Sequence, residues 1–372
     1  MCACRNKLPA CGPQCIYSEP LPPCSRRDDV RALLNTLFVT TQKSYLARDG
    51  ECVLVRVEEE TRLRVPIHTL SGIVCFGVVS CSPPLLGLCA ERDVAVSFLS
   101  EHGRYLARVT GAVRGNVLLR RQQYRMADSD ESPAHIARAI VLAKVANCRT
   151  ALQRGAREHV VPGMAETLAS AAGELLRLLP VTERANDLPT IRGLEGDAAR
   201  IYFSAFDPLI LVSKDRFFFR ERSRRPPLDN MNALLSFLYT LLAHDVAAAL
   251  ESVGLDPCVG YLHVDRPGRP SLALDLMEEL RPVLADRLAL SLVNRRQVAA
   301  EGFQKSESGA IQMNDATRKE VLIAWQKRKQ EEIQHPYLNE SVAFGLLPYV
   351  QALLLARHIR GDLDAYPPYF WR

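Results

Sequence analysis

The sequence predicts an α+β multidomain chain in which a small N-terminal β domain, residues 32–126, is followed by a larger all-α domain, residues 127–372. Three observations carry this. Short β-branched segments punctuated by turns run from Leu33 to about Arg125, and apolar residues then recur at helical spacing. Between the two, Ala127-Asp-Ser-Asp-Glu-Ser-Pro133 is a polar linker ending in a Ser-Pro helix start. A chain of 372 residues is long for one compact core, and its 48% hydrophobic content suffices to fill two.

Residues 1–31 precede both domains and hold Cys2, Cys4, Cys11, Cys15 and Cys24, five of the eleven cysteines, among several prolines. Zinc or an iron–sulfur cluster is one reading, but their spacing fits no ligand pattern well, so a disordered extension is expected. The other cysteines stand singly in apolar surroundings, as reduced core residues do. Strands are predicted over Thr36–Thr41, Cys52–Val57, Leu63–Ile67, Ile73–Val79, Val94–Leu99 and Tyr105–Val109, with Arg48-Asp49-Gly50 and His102-Gly103 as turns. These strands bring no set of catalytic side chains together, so packing and dimer contact are their expected roles.

Helices follow over Pro133–Arg154, Met164–Leu179, Thr190–Phe206, Asp229–Gly254, Ser271–Ala300, Asn314–Gln334 and Asn339–Ile359. The most apolar stretch, Ala233–Leu250, carries Ser236, Tyr239, Thr240, His244 and Asp245, which marks a buried core helix rather than a membrane span. Met1 leads into polar, cysteine-rich sequence without the apolar segment of a secretory signal, so a cytoplasmic location is expected. The net charge of +5 is mild, and attraction to an acidic partner must come from local clusters.

Three separated stretches offer metal-ligand side chains: Glu195 in Arg192-Gly-Leu-Glu-Gly-Asp197, His263 in Gly260-Tyr-Leu-His263, and Asp275 with Glu278 in Asp-Leu-Met-Glu. Oxygen ligands with one imidazole suit magnesium or manganese. Glu195 lies at the margin of the stripe Ile191, Leu194, Ala198, Ile201 and needs a charge partner there, either a cation or Arg192 or Arg200. Gly193 and Gly196 flank it and predict a close approach to the backbone. His263 stands before the stiff loop Val264-Asp-Arg-Pro-Gly-Arg-Pro270, as a ligand or as a hydrogen-bonded structural residue. Asp275 and Glu278 are helix neighbours whose repulsion is relieved by a divalent ion or tolerated on a solvated face near Arg281; Glu279 competes with Glu278 for the same part.

The motifs Leu34-Asn-Thr-Leu-Phe, Gly72-Ile-Val-Cys-Phe-Gly77, Gly115-Asn-Val-Leu-Leu-Arg120, Gly193-Leu-Glu-Gly196, Pro226-Pro-Leu-Asp-Asn-Met-Asn, Leu262-His-Val-Asp-Arg-Pro-Gly-Arg-Pro and the ending Tyr366-Pro-Pro occur in one order. From about Leu33 to Arg372 the chain thereby resembles the CRISPR-associated endonuclease and integrase, the Cas-one family, in the form that accompanies type I-C systems. The resemblance implies an N-terminal β domain and a helical catalytic domain. It places metal ligands for Mg2+ or Mn2+ on Glu195, His263 and Asp275, with Glu278 where some members have a further acid. The first thirty or so residues depart from the family; they faintly resemble the cysteine-rich end of the Cas-four nuclease, sometimes fused ahead of such proteins, but the spacing differs.

The reaction implied is insertion of prespacer DNA into the CRISPR array, a 3′-hydroxyl attacking a repeat-boundary phosphodiester with metal assistance and without a covalent protein nucleophile. The implied partners are double-stranded and branched DNA, a second copy of the chain, and a Cas-two dimer flanked by two such homodimers, with Cas-four as a further partner. Arg216-Phe-Phe-Phe-Arg-Glu-Arg-Ser-Arg-Arg225 sets five arginines in ten residues beside three aromatics, so Arg220, Arg222, Arg224 and Arg225 are expected to contact phosphates. A second basic set comprises Lys305, Arg318, Lys319, Lys327, Arg328 and Lys329. The alternative is a non-catalytic DNA-binding scaffold; a zinc hydrolase is disfavoured because the set offers one His and no nearby thiolate.

Overall fold

The structure, a computed structural model, describes residues 36–58, 60–70, 72–100, 105–111, 117–129, 132–158 and 161–371. The clustered cysteines of residues 1–31 and the His102-Gly103 turn lie outside the described residues. The N-terminal part holds two four-stranded sheets. One contains β1 (Thr36–Val39), β5 (Gly72–Phe76), β7 (Ala95–Leu99) and β8 (Tyr105–Val109) in that order, with β1, β5 and β7 parallel and β8 antiparallel to β7. The other has the order β4-β3-β2-β6: β2 (Ser44–Asp49), β3 (Cys52–Val57) and β4 (Glu60–Pro66) form an antiparallel meander, and β6 (Val79–Cys81) runs parallel to β2.

Residues along β5 alternate between two cores. Ile73 and Cys75 pack with Leu46, Val53 and Leu85 inside the β domain, while Val74 and Phe76 join the helical core. Burial on both faces explains the unbroken apolar run Ile-Val-Cys-Phe. Phe76 meets Phe237 with ring centroids 6.0 Å apart, and Ser97 Oγ lies 3.2 Å from His244 Nδ1, so this sheet is fixed to the long helix Asn230–Ser252. Burial holds His244 down at about 4, so it is a neutral partner there.

The expected strand Ile73–Val79 is two strands in different sheets. The break falls at Gly77, whose φ of +74° is left-handed and whose missing Cβ makes room for the Gln42 amide. That amide donates to Phe76 O (3.2 Å) and accepts from Val78 N (2.8 Å), pinning the crossover. Strand β2 was not expected, because its buried positions Ser44 and Leu46 supply one strong apolar residue to the alternation. Helix α1 (Pro83–Glu91), also unexpected, starts from Ser82, whose hydroxyl accepts from Leu85 N at 3.3 Å, with proline in its first turn.

The helical part comprises α2 (Val117–Ala127), α3 (Ser132–Glu158), α4 (Pro162–Arg184), α5 (Leu188–Ser204), α6 (Asn230–Ser252), α7 (Ser271–Leu280), α8 (Arg287–Asn294), α9 (Asp315–Gln330) and α10 (Leu347–Arg360). Helix α6 is long and apolar enough to cross a membrane, but it is the core helix expected, with Leu234, Leu235, Leu238 and Leu242 fully buried. The single helix expected over Ser271–Ala300 is interrupted by a π turn, Arg281–Asp286, at Pro282, which has no N–H to continue the ladder. The all-α expectation is corrected: among the described residues, β9 (Phe303–Lys305) pairs with β10 (Ile311–Met313), and β11 (Glu332–Gln334) with β12 (Ser341–Ala343), as antiparallel ribbons. Strands of three residues are too short for a period to show, and two of them consumed ends of predicted helices.

Glu279 on α7 is buried and accepts from Tyr366 Oη (2.6 Å), Gln351 Nε2 (3.0 Å) and Tyr369 N (2.8 Å), so the Tyr366-Pro-Pro ending is tied to α7 and α10. Burial nevertheless pushes its carboxyl up to about 7, and burial pushes Asp286, beside Tyr239 Oη at 2.7 Å, up to about 6. A raised native pKa means that the folded state holds the proton longer. These two groups therefore add stability at low pH and lose it as pH rises through about 6 to 7. Between pH 5 and 8 the thermal midpoint is expected to fall, with Glu279 alone accounting for on the order of 2 kcal/mol, and Glu279→Gln should flatten the slope. An unchanged slope in that variant would contradict the assignment.

Candidate active site

Four elements bring charged side chains to one place: α3 with Lys144, α5 with Glu195, the loop before α7 with His263, and α7 with Asp275 and Glu278. Helix α5 begins at Asp187, whose carboxylate accepts from Thr190 N at 2.8 Å, and it buries Ile191, Ala198 and Ile201. That register leaves the Glu195 side chain 25% exposed. Neither of the partners open to it in the sequence is used: Arg192 Nε donates to Leu262 O at 2.5 Å, and Arg200 pairs with Asp197 at 3.3 Å. Glu195 instead pairs with the Lys144 ammonium. Around Gly193 and Gly196 an added Cβ would meet open space, so among the described residues nothing approaches these two glycines.

Asp275 is fully buried, and four donors occupy its two oxygens. Tyr261 N (2.6 Å) and Leu262 N (2.9 Å) donate to Oδ2, while His263 N (2.9 Å) and His263 Nδ1 (2.7 Å) donate to Oδ1. The carboxylate thus folds the 260–263 segment around itself and fixes the imidazole with its proton on Nδ1, leaving the Nε2 lone pair free. Gly260 is required there, because a Cβ would come within 2.8 Å of Asp275 Oδ2 and of Ser271 Cβ. Ser271 Oγ donates to Val264 O at 3.2 Å and closes the loop against the start of α7.

One turn along α7, Glu278 points to the other members of the group. Its Oε2 lies 2.6 Å from Lys144 Nζ, its Oε1 lies 4.0 Å from His263 Nε2, and it pairs with Arg281, with only 2% of the side chain exposed. The Lys144 contact is an ion pair off the line of a directed hydrogen bond, so this buried oxygen has no aligned donor. Burial opposes ionisation of Glu278, but Arg281 and Lys144 outweigh it and hold the carboxyl below its ordinary value. Burial likewise opposes the charge on Lys144, and Glu278 and Glu195 restore it, raising the ammonium's pKa. The group therefore contains two carboxylates, an ammonium, a guanidinium and an imidazole. Among the described residues no three His, Cys, Asp or Glu side chains are gathered as a ready ion cage, and the Lys144 ammonium touches both Glu195 and Glu278.

Lys144 was not singled out in the sequence. The available signal was a lone lysine in the register of Ile140, Val141, Val145 and Cys148, all buried. Arg281, read as lying near a solvated face, is half-buried and stacks over the Tyr239 ring at 5.1 Å. Glu279, the competitor of Glu278, faces the C-terminal segment instead.

The arginine-rich run divides. Arg220, Arg224 and Arg225 are exposed, with the Arg220 guanidinium 5.3 Å from the Phe218 ring. Arg222 is half-buried and donates to Ser223 O (2.6 Å), Asn232 Oδ1 (2.7 Å) and Ser236 Oγ (3.1 Å), so these donors serve the chain itself. Phe217 and Phe219 belong to the core, Phe219 packing on Phe206 at 4.9 Å. In the second basic set Lys329 is buried against Asp245 at 2.9 Å and Arg318 against Asp315, Arg328 is half-buried and paired with Glu331, and Lys305, Lys319 and Lys327 are exposed.

A family model described as CRISPR associated protein Cas1 matches residues 37–327. The CRISPR-associated endonuclease Cas1 1 of Chlorobaculum tepidum is 55% identical over 339 residues, covering 91% of this chain and 99% of that protein. Among solved structures, a CAS1 protein from Thermotoga maritima is similar with a TM-score of 0.76 at 26% identity, over 88% of this chain and 97% of that one. Two others share the fold at lower identity. One is a chain of a Cas6-RT-Cas1–Cas2 complex (TM-score 0.76, 23% identity, 90% of this chain, 36% of that one), and the other a casposase bound to integration product (0.77, 19%, 91% and 94%).

Asp275→Ala strips the acceptor from three backbone N–H groups, two of them buried, and from the imidazole, so denaturant unfolding should show a loss of about 3 kcal/mol or more. A loss below about 0.5 kcal/mol would mean that the carboxylate does not organise the loop.

Proposed function

The chain belongs to the Cas1 family of CRISPR-associated proteins, and on that premise we propose that it is a divalent-metal-dependent endonuclease and integrase of CRISPR adaptation, in the form that accompanies type I-C systems. The reading takes residues 32–126 as the β domain and 127–372 as the catalytic domain, and it is strengthened by the casposase whose integration product is bound to the same fold. The reaction is the attack of a prespacer 3′-hydroxyl on the phosphodiester at the repeat boundary. A new P–O bond forms to the incoming oxygen as the bond to the leaving 3′-oxygen breaks.

The observation that carries the reading is that Glu195 and Glu278 meet at the Lys144 ammonium, with His263 Nε2 4.0 Å from Glu278 Oε1. Two carboxylates and one imidazole fit a hard divalent ion such as Mg2+ or Mn2+, and the Glu278 Oε2, held by the Lys144 ammonium without an aligned hydrogen bond, is a donor oxygen that already faces a cation. In this assignment Glu195, His263 and Glu278 would hold the ion. Asp275, a ligand in the sequence expectation, becomes the residue that positions His263, because its lone pairs are already engaged. When bound, the ion supplies charge to polarise the phosphodiester and help ionise the attacking hydroxyl.

The chain's own residues do the rest. Glu195 and His263 are the partly exposed members, 25% and 23%, so the phosphate enters on their side, over the open face of Gly193 and Gly196. Asp275 holds the imidazole tautomer, and Arg281 keeps Glu278 ionised. Arg220, Arg224 and Arg225 hold the double-stranded or branched DNA by its phosphates. The proposed assembly is a homodimer, two of which flank a Cas-two dimer, with Cas-four as an additional partner, all in the cytoplasm; the complex containing Cas1 and Cas2 supports the Cas-two part.

The scaffold alternative keeps one supporting observation: Lys144 and Arg281 already neutralise Glu195 and Glu278 without any ion. Metal dependence separates the two. Incubated with its Cas-two partner, a branched intermediate and a repeat-bearing plasmid, the chain is expected to join strands only with Mg2+ or Mn2+. His263→Ala and Glu278→Gln should lower that rate by about 100-fold or more and Asp275→Asn by about 10- to 100-fold, with DNA binding retained. Near wild-type joining by Glu278→Gln in manganese would remove it from the ligand set. Joint replacement of Arg220, Arg224 and Arg225 by Ala should weaken DNA binding and reduce its salt slope by about 3. Arg222→Ala should instead lower stability, and a binding loss without destabilisation would reverse that distinction.

A further inference from the structure

We propose that Lys144 is a resident cation of the acidic site, which a divalent ion must displace to reach Glu195 and Glu278. The inference rests on the metal reading above and adds a competitor for the ion from within the chain.

Lys144 belongs to the buried stripe of α3, and its side chain is 8% exposed. A lysine there is tolerated only with partners, and its ammonium has two, carboxylates carried by different helices, α5 and α7. Its backbone is held rigidly. One turn on, Asn147 Nδ2 donates to Glu279 O (2.7 Å) and Tyr369 O (2.8 Å), and Asn147 Oδ1 accepts from Trp371 N (2.7 Å). The helix therefore does not move away, and the side chain alone decides where the charge sits.

The charges of Glu195 and Glu278 are balanced by those of Lys144 and Arg281. A doubly charged ion entering this largely buried group leaves two positive charges uncompensated unless a cation withdraws. Arg281 is poorly placed to do so: it is fixed on the same helical segment as Glu278, and its guanidinium is stacked on Tyr239 at 5.1 Å. Lys144 carries its charge at the end of an unbranched, rotatable stem, whereas a guanidinium is a planar fork. Glu195, the partner it shares with the solvent-facing side, gives it a way out. Lys144 thus keeps the two carboxylates together and ionised, at the cost of ion affinity.

Manganese binding to the full chain, followed by titration calorimetry and by the electron paramagnetic resonance of free Mn2+, tests this without reference to activity. Lys144→Met is expected to bind Mn2+ at least about tenfold more tightly than wild type, roughly 1.4 kcal/mol. Lys144→Arg, which cannot withdraw as readily and engages both carboxylates, should bind severalfold more weakly. A folded Lys144→Met chain that binds no more tightly than wild type overturns the proposal. Should that variant fail to fold, Lys144→Arg decides, and wild-type affinity in it overturns the proposal equally. Failure of the underlying metal reading has its own signature: wild type and both variants alike bind no Mn2+, and the inference falls with it.

Discussion

Two carboxylates from different helices share one buried ammonium, and the arrangement of the helical part follows from that constraint. Lys144 of α3 can meet Glu195 and Glu278 only if α5 and α7 both lie against α3, and removing the ammonium takes this ion partner from Glu195 and leaves Glu278 to Arg281. The same residues carry the proposed chemistry. Stability and reactivity draw on one set of residues, as expected where function imposes buried charge.

Helix α7 shows how closely such duties are interleaved. Asp275, Glu278 and Glu279 are all buried, yet each carboxylate serves a different neighbour: the 260–263 loop, the charge group, and the C-terminal segment. Helical geometry separates adjacent residues by about 100°, so Glu278 and Glu279 cannot face the same partner, whereas Asp275 and Glu279 lie one turn apart and diverge through their partners. The π turn that follows widens the helix at Arg281 and sets that guanidinium over Tyr239, beside Glu278.

Much of this was legible in the sequence, for identifiable reasons. The helix Asn230–Ser252, capped by Asp229, was found within a residue or two, whereas Ser132–Glu158 and Pro162–Arg184 run several residues past their expected C-terminal ends. Strand β2, with Leu46 as its one strong buried apolar residue, and the three-residue ribbons carried too little pattern to be seen. Glu195, His263, Asp275 and Glu278 were visible as residue types. What the spacing could not show was which carboxylate faces inward to the loop and which to the group, because that depends on backbone N–H groups from residues 261–263. Lys144 and Arg281 were hidden by the ordinary expectation that lysine and arginine lie at the surface.

The assignment of roles to the two acids of α7 is the centre of this account, and locating the ion tests it most directly. Anomalous diffraction from crystals of the chain grown with manganese should place the ion against Glu195, the Nε2 of His263 and Glu278, with the Asp275 carboxylate still bonded to the loop. An ion bound directly to both oxygens of Asp275, with Glu278 left on Arg281, would contradict it.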